Sequence, residues 1–177
     1  MTAIQRIVIS GGPGTGKTSL IWALEEAGFR CIHEISREII REELAAKTNV
    51  LPWADLQAFS EKVYAGRKEQ FGQSQNGLNF YDRSVIDTIA YMHKDGMVIP
   101  AAWEQEIKSL RYSDPVFITP PWREIFGNDH ERRESWQQLV DVHNSLVAAY
   151  KEAGYTIVEI PKVSIEERMQ FVLSRVK

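Results

Sequence analysis

The residues best suited to chemistry lie near the amino terminus, in a glycine-rich segment that contains one lysine. Gly11–Thr18 fits the pattern G-x-x-x-x-G-K-[ST] in full. Glycines allow the backbone N–H groups to converge on phosphates, and the lysine can reach the β- and γ-phosphates. The alternative is a glycine-rich turn that binds nothing. The apolar run before the segment and the helical pattern after it favour a phosphate loop.

This phosphate loop predicts a nucleoside triphosphate site, and we expect ATP and Mg²⁺ as cofactors. Lys17 is the predicted catalytic group of the loop, and the hydroxyl of Thr18 is a predicted Mg²⁺ ligand. The residues expected to bind the nucleotide are Gly12, Gly14, Thr15, Gly16, Lys17, Thr18 and Ser19.

A second group of polar residues, Asp82-Arg83-Ser84, follows a short apolar run. A carboxylate at the end of a strand can hold Mg²⁺, so Asp82 is predicted to be a catalytic metal ligand. An ordinary capping box is the alternative, with Ser84 as N-cap and Asp87 three residues later, and both roles are compatible. Arg83 is predicted to steady the transferring phosphoryl group or the acceptor group. It is therefore predicted both to be catalytic and to bind substrate.

A third group, Glu34 and Arg37, follows the second strand pattern. Glu34 could orient or deprotonate an acceptor hydroxyl, so it is predicted to be catalytic and to bind substrate. Arg37 could bind the substrate or orient Glu34. The alternative, an ordinary polar first turn of a helix, remains open on the sequence alone.

A fourth group is an arginine-rich segment, and we expect a lid at about 119–133. It contains Arg123, Asp129, Arg132 and Arg133. A lid excludes water and brings guanidinium groups to the transferring phosphoryl, so Arg132 is predicted to be catalytic. A solvated loop before a helix is the alternative.

Alternating patterns predict the elements that position these groups. Short apolar runs predict strands at 4–10, 29–33, 78–82, 115–118 and 155–160. Helical spacing predicts helices at 17–27, 35–46, 85–93, 101–110 and 131–153, with two more opening at Pro52 and Ser164. This alternation predicts an α/β fold with a parallel sheet and helices on both faces. Ligands bind such sheets at the carboxyl ends of the strands.

Length and composition indicate the number of domains and exclude several classes of protein. The chain has 177 residues, of which 44% are hydrophobic, so we expect one domain over 1–177. The net charge is −3 and no lysine–arginine run predicts nucleic-acid binding. A single cysteine excludes a disulfide framework, and no segment fits a signal peptide or a membrane span. We therefore predict a cytoplasmic protein without a membrane partner, and the sequence specifies no oligomeric state.

The order of five segments resembles a small AAA-type ATPase/kinase family linked to NAD metabolism. The segments are GGPGTGKT, EISRE, YDRSVIDTIAY, PPWREIFGNDHERR and GYTIVEIP, and they extend over nearly the whole chain. Relatives of this family include the nicotinamide ribonucleoside kinase domain of bifunctional NAD-biosynthesis proteins. Those kinases carry Asp-Thr-Asp where this chain has Asp82-Arg83-Ser84.

The resemblance implies a P-loop NTPase fold of the nucleoside/nucleotide-kinase kind, with a five-stranded parallel sheet. It also implies the residues that line the site, which are Glu34, Arg37, Asp82, Arg83, Asp129 and Arg132.

Three functions compete at this point. The first is a phosphotransferase that moves the ATP γ-phosphoryl to a small hydroxylated, nucleoside-like acceptor. The second is a nucleoside triphosphatase that uses water, and the third is a nucleotide switch that acts through a protein partner. Glu34 and the lid arginines favour the kinase, because water needs no acceptor pocket. The absence of GTPase-type switch motifs from the sequence weakens the third.

Overall fold

Five parallel strands form the central sheet, as the alternating pattern predicted. The computed structural model describes residues 3–126 and 135–176. In chain order the strands are β1 (Ile4–Gly11), β2 (Arg30–Ile32), β3 (Gly77–Asp82), β4 (Val116–Thr119) and β5 (Ile157–Glu159). They lie in the order β2-β3-β1-β4-β5, and each of the four pairings is parallel.

Helices cover both faces of this sheet because its apolar residues alternate between the two sides. The helices are α1 (Lys17–Glu26), α2 (Ser36–Ala46), α3 (Leu56–Gly72), α4 (Val85–Lys94), α5 (Ala101–Ser109), α6 (Trp136–Glu152) and α7 (Ile165–Leu173). In β1, Ile7 and Ile9 pack against the layer formed by α1 and α7, while Val8 packs in the opposite layer with α3 to α6. None of these described helices is long and apolar enough to cross a membrane.

Side-chain caps fix where several helices begin, and they correct two predicted boundaries. Asp55 accepts a hydrogen bond from the N–H of Ala58, so α3 begins at Leu56 and not at Pro52. Ser135 forms a capping box with Gln138, so α6 begins at Trp136 instead of Glu131. The capping boxes expected at Ser84 and Ser164 are both present.

Strands β2 and β3 lie on one side of β1, and strands β4 and β5 lie on its other side. The order in which the chain adds strands therefore switches sides at β1. Such a switch point leaves a crevice at the carboxyl ends of the strands, where ligands bind. The register places Asp82 beside Ile9, at the carboxyl end of this crevice.

The phosphate loop packs tightly between β1 and two helices. A Cβ on Gly12 would lie 2.3 Å from Cδ1 of Leu139 in α6, so a side chain there would force Leu139 to move. Gly16 has a φ of 80°, in the left-handed region that glycine adopts without strain, and a Cβ there would lie 2.6 Å from Nη1 of Arg168 in α7. These close approaches hold the loop in one position against the fold.

Candidate active site

The phosphate loop ends at the start of α1, where Gly16 is the N-cap. Glycine has no side chain to occupy the first N–H groups of the helix, so these donors face the loop, as phosphate binding requires. Lys17 Nζ donates to the carbonyl of Gly12 at 2.7 Å, and Thr15 Oγ1 donates to the same carbonyl at 2.8 Å. The loop therefore has the form that the sequence predicted, with Lys17 lying within it.

Burial makes Lys17 an unusual lysine. Its side chain is almost fully enclosed, and burial together with the nearby Arg83 guanidinium lowers its pKa to about 7. Asp82 and Glu34 act in the opposite direction and limit the shift. A bound anion would favour the charged form of Lys17, so the loop is electrostatically prepared for a polyphosphate.

Asp82 ends β3 on the other side of the loop, where only 5% of the residue is exposed. Its Oδ1 is buried and accepts no hydrogen bond from any of the described residues. Burial raises the pKa of this carboxyl, although Lys17 opposes the shift. An enclosed carboxylate oxygen without a donor is suited to a cation, which supports the metal role predicted for Asp82.

The residues around the loop fit Mg²⁺ in the way that nucleotide enzymes hold it. Mg²⁺ is usually bound by one or two protein groups together with substrate phosphates and water. Thr18 is exposed in the first turn of α1, and Asp82 provides the carboxylate. No cluster of three carboxylate, histidine or cysteine ligands occurs in the described part of the chain. Thr18 and Asp82 would therefore hold the ion jointly with a nucleotide.

Glu34 lies beyond the end of β2, between two arginines. Arg67 Nη2 donates to its two carboxylate oxygens at 2.9 and 3.1 Å, and Arg83 Nε donates to Oε2 at 2.6 Å. The N–H and hydroxyl of Ser36 donate to Oε1 at 3.0 and 2.8 Å. These donors outweigh the effect of burial and hold the pKa of Glu34 far below its usual range. Glu34 is thus a fixed, ionised carboxylate of low basicity.

Arg83 is positioned by an unusual backbone conformation. Its φ is 76°, which is rare for a residue with a side chain, and its N–H donates to the carbonyl of Ile9 at 3.1 Å. The guanidinium lies 3.6 Å from Asp87 and donates to the hydroxyl of Tyr91 at 3.3 Å. Strained residues cluster at functional sites, so this conformation is consistent with a role in the site.

A buried network behind Arg83 connects the site to β1 and α6. Asp87 accepts hydrogen bonds from Ser10 Oγ at 2.6 Å, from the N–H of Ser84 at 2.8 Å and from the hydroxyl of Tyr150. Ser84 and Asp87 therefore cap α4, as expected, and Asp82 takes no part in the cap. The capping prediction is confirmed, and the metal role of Asp82 stays a prediction.

Arg67 is the main site residue that sequence reasoning missed. It lies in α3 with 4% exposure, and its Nη1 donates to Thr88 Oγ1 at 2.8 Å and to the carbonyl of Ser84 at 3.2 Å. It therefore ties Glu34 to the start of α4. A signal was present, because Arg67 continues the helical stripe of Phe59 and Val63, and a charged residue on a core-facing stripe calls for a partner.

Arg168 was also missed. It is 2% exposed in α7, its Nη2 donates to the carbonyl of Thr15 at 3.1 Å, and its guanidinium carbon lies 5.9 Å from the ring centre of Trp122. Arg168 thus supports the phosphate loop from behind.

Much of the predicted lid lies outside the described residues, including Asp129, Arg132 and Arg133. Arg123 is described, and its guanidinium carbon lies 4.7 Å from the ring centre of Trp136. The place of Arg123 in a lid and the catalytic role of Arg132 stay predictions. Arg37 is exposed in the first turn of α2 and lines the same cavity as Lys17.

A cavity of about 580 Å³ joins these groups. One end is the phosphate loop, with Gly14, Lys17 and Thr18, and its floor contains Asp82 and Arg83. The other end lies between α2, α3 and α4, where apolar and polar side chains meet. That volume suits a small organic ligand next to the phosphate loop.

Comparison with protein families gives a match to a model described as an AAA domain over residues 6–168. The chain belongs to this family. The resemblance that the sequence motifs indicated is confirmed at the level of the AAA domain. No curated protein is significantly similar to this chain.

Solved structures confirm the nucleoside-kinase-like fold. A deoxyadenosine kinase from M. mycoides, determined with products dCMP and dCDP, superposes with a TM-score of 0.67 at 15% identity, over 97% of both chains. The NadR protein in complex with NR has a TM-score of 0.67 at 18% identity, covering 97% of this chain and 50% of its own. A thymidylate kinase from Ehrlichia chaffeensis has a TM-score of 0.60 at 18% identity, over 97% of both chains.

Proposed function

We propose that the protein is an ATP-dependent phosphotransferase that acts on a small hydroxylated, nucleoside-like acceptor. The observation that carries the proposal is Glu34, held between Arg67 and Arg83 at the boundary of the phosphate loop and an open cavity. A carboxylate fixed beside this cavity is suited to orient an acceptor hydroxyl. Two of the neighbouring proteins, the deoxyadenosine kinase and the thymidylate kinase, are named as kinases, and the first was determined with nucleotides bound, which supports the same class.

The nucleotide half of the reaction falls to the phosphate loop. Lys17 and the loop N–H groups bind the β- and γ-phosphates, and Thr18 with Asp82 holds Mg²⁺ against them. When bound, Mg²⁺ neutralises charge on the transferring group. Arg83 faces the same end of the cavity and contributes positive charge to it. We infer that this reaction takes place in the cytoplasm. We also infer that residues 1–177 form one domain, with a lid at about 119–133.

The acceptor half falls to Glu34, and its low pKa decides how it acts. A carboxylate of such low basicity accepts a proton poorly, but it can accept a hydrogen bond from the acceptor hydroxyl in place of one of its present donors. The acceptor oxygen then forms a bond to the γ-phosphorus, the bond to the ADP oxygen breaks, and the hydroxyl proton is lost to solvent as transfer proceeds. Phosphoryl transfer depends mainly on position and charge, so orientation is a sufficient role for Glu34.

Replacement of Glu34 by Gln separates this proposal from ATP hydrolysis. Gln keeps the size and loses the charge, so acceptor-dependent ADP release should fall about a hundredfold or more, while slow basal hydrolysis survives. The measurement is ADP release with and without a nucleoside library. Glu38→Gln, at an exposed position of α2, is the matched control and should behave as the wild type.

The opposite pattern would favour a nucleoside triphosphatase. If the wild type shows no acceptor-dependent ADP release and Glu34→Gln loses basal hydrolysis, Glu34 serves a water molecule. Circular dichroism and thermal unfolding of both variants establish that the fold is retained in either case.

The pKa of Lys17 gives an independent test of nucleotide binding. Near pH 8 a lysine with a pKa of about 7 is mostly neutral, and nucleotide phosphates raise that pKa, so binding should take up about one proton. Affinity should therefore fall as the pH rises above 7. Calorimetry of MgADP binding at pH 8, in buffers of different ionisation enthalpy, measures this uptake.

Lys17→Met removes the titrating amine and should bind MgADP weakly and without proton uptake. Equal proton uptake by Lys17→Met and the wild type would assign the titration to another group. Unchanged affinity in a folded Lys17→Met protein would contradict the phosphate-loop assignment itself.

A further inference from the structure

Arg168 in α7 is a buried cation that lies against the phosphate loop. Only 2% of the residue is exposed, and a Cβ on Gly16 would lie 2.6 Å from its Nη1 and 3.6 Å from its Cζ. The ring of Trp122 lies near the same guanidinium, with its centre 5.9 Å from Cζ. Arg168 does not line the cavity, so it approaches the loop from outside the acceptor site.

No carboxylate within residues 3–126 and 135–176 neutralises this cation. Burial lowers the pKa of Arg168, and no acidic group of the described chain opposes that effect. Among the described residues one other arginine is equally enclosed, Arg67, and it contacts both carboxylate oxygens of Glu34. Because a buried charge without a counter-ion is costly, the stability of the fold alone does not account for Arg168.

The guanidinium of Arg168 instead contacts the backbone of the loop. Its Nη2 donates to the carbonyl of Thr15 at 3.1 Å, while its buried Nε has no acceptor among the described residues. That carbonyl belongs to the same peptide group as the N–H of Gly16. The peptide is trans, so its N–H points away from its carbonyl and therefore away from Arg168. In the part of the chain that the structure describes, this N–H donates to no other group.

An N–H without an acceptor in a glycine-rich loop is the kind of donor that binds a phosphate. A charged donor on the carbonyl polarises the peptide group, so the N–H at its other end becomes a stronger donor. The same contact opposes rotation of this peptide, which the permissive backbone of Gly16 would otherwise allow. Arg168 is thus placed to set both the direction and the strength of one N–H of the loop.

We propose that Arg168 is a positioning residue for the nucleotide, which holds the Thr15–Gly16 peptide with its N–H toward the phosphates and strengthens that donor. The inference rests on nucleotide binding by the phosphate loop, which is part of the proposed function. It adds a residue of α7 that acts on the phosphates through one peptide group without touching them. The phosphates in turn supply the negative charge that the buried guanidinium lacks.

The N–H of Gly16 can be observed alone, because Thr15–Gly16 is the only Thr–Gly pair in the sequence. In protein with carbonyl-¹³C threonine and ¹⁵N glycine, an NMR experiment that correlates each amide with the preceding carbonyl gives a single signal. In the wild type, saturating MgADP should move the Gly16 amide proton downfield. In Arg168→Met the signal of the empty protein should lie upfield of the wild type, and the shift caused by MgADP should be smaller.

Calorimetry of MgADP binding measures the effect on affinity. Arg168→Met should weaken binding about tenfold, since hydrogen bonds to charged groups contribute more than neutral ones. Arg168→Lys keeps the charge and should recover part of both the affinity and the Gly16 shift. Arg168→Gln keeps only a neutral donor and should recover less. Arg175→Met is the matched control, because Arg175 is an exposed arginine near the end of the chain, and it should match the wild type in both measurements.

The two measurements together distinguish a positioning role from a purely structural one. If Arg168→Met binds MgADP as the wild type does, the inference is wrong and nucleotide binding stands. If affinity falls but the Gly16 signal matches the wild type with and without MgADP, Arg168 only supports the fold, and the inference is again wrong. If Arg168→Met does not fold, the Lys and Gln variants decide by the same criteria. If the wild type binds no MgADP, the phosphate-loop assignment and the proposed function fail together with the inference.

Discussion

Asp82→Asn should lower Mg²⁺-dependent turnover about a thousandfold while leaving the folded protein at least as stable as the wild type. The two effects have one cause. Asp82 is a buried carboxylate whose Oδ1 accepts no hydrogen bond from the described residues, so its charge is costly in the empty protein and valuable once a metal is present. Asn keeps the shape, removes that cost and loses the metal.

The measurement combines ADP release as a function of Mg²⁺ concentration with urea unfolding in the absence of nucleotide. Asp141→Asn provides the control, because Asp141 is an exposed carboxylate of α6 that accepts a hydrogen bond from Gln137. It should change neither quantity. Normal turnover and Mg²⁺ dependence in Asp82→Asn would leave Asp82 with no role in the site.

Arg67→Met should have the largest effect on stability of any single change in the site. Arg67 is almost completely buried, and its removal leaves the Glu34 carboxylate without the guanidinium that contacts both of its oxygens. Breaking a buried ion pair from one side costs about 3–5 kcal/mol in the free energy of unfolding. Acceptor-dependent turnover should fall as well, because Glu34 loses its fixed position.

Lys68→Met, at the next position of α3, is the matched control for urea unfolding. Lys68 pairs with Glu106 at 2.8 Å, but both side chains are substantially exposed, so its loss should cost less than about 1 kcal/mol. If Arg67→Met costs no more than Lys68→Met, the Glu34–Arg67 pair does not stabilise the fold. The double variant Glu34→Gln/Arg67→Met should lose less stability than the two single variants lose in sum, because the Glu34–Arg67 pair is then removed as a whole and Arg83 keeps Asp87 at 3.6 Å.

Local patterns were sufficient to predict the elements and the nucleotide end of the site. The phosphate loop is a contiguous segment whose function depends on its own backbone, so Gly11–Thr18 could be assigned without knowledge of the fold. Strand ends of a parallel sheet share one edge, and this placed Glu34 and Asp82 near the loop correctly. The capping boxes at Ser84 and Ser164 were equally local.

The acceptor end could not be predicted in the same way, because its contacts join residues distant in sequence. Arg67 reaches Glu34 across 33 positions, and the packing of α3 against α2 and α4 brings them together. The misplaced start of α3 has a different cause, because two local start signals compete there. Pro52 is a common first helical residue, but the carboxylate of Asp55 provides the cap that α3 uses.

The close packing of Gly12 against Leu139 has an evolutionary consequence. Leu139 belongs to α6, far along the chain from the phosphate loop, yet its Cδ1 occupies the space where a side chain at position 12 would lie. The pattern G-x-x-x-x-G-K-[ST] accepts any residue at position 12, but in this chain the packing of Leu139 restricts the size of that residue. A side chain at position 12 therefore requires Leu139 to move or to be replaced by a smaller residue, so we expect substitutions at the two positions to be coupled although neither residue touches the acceptor.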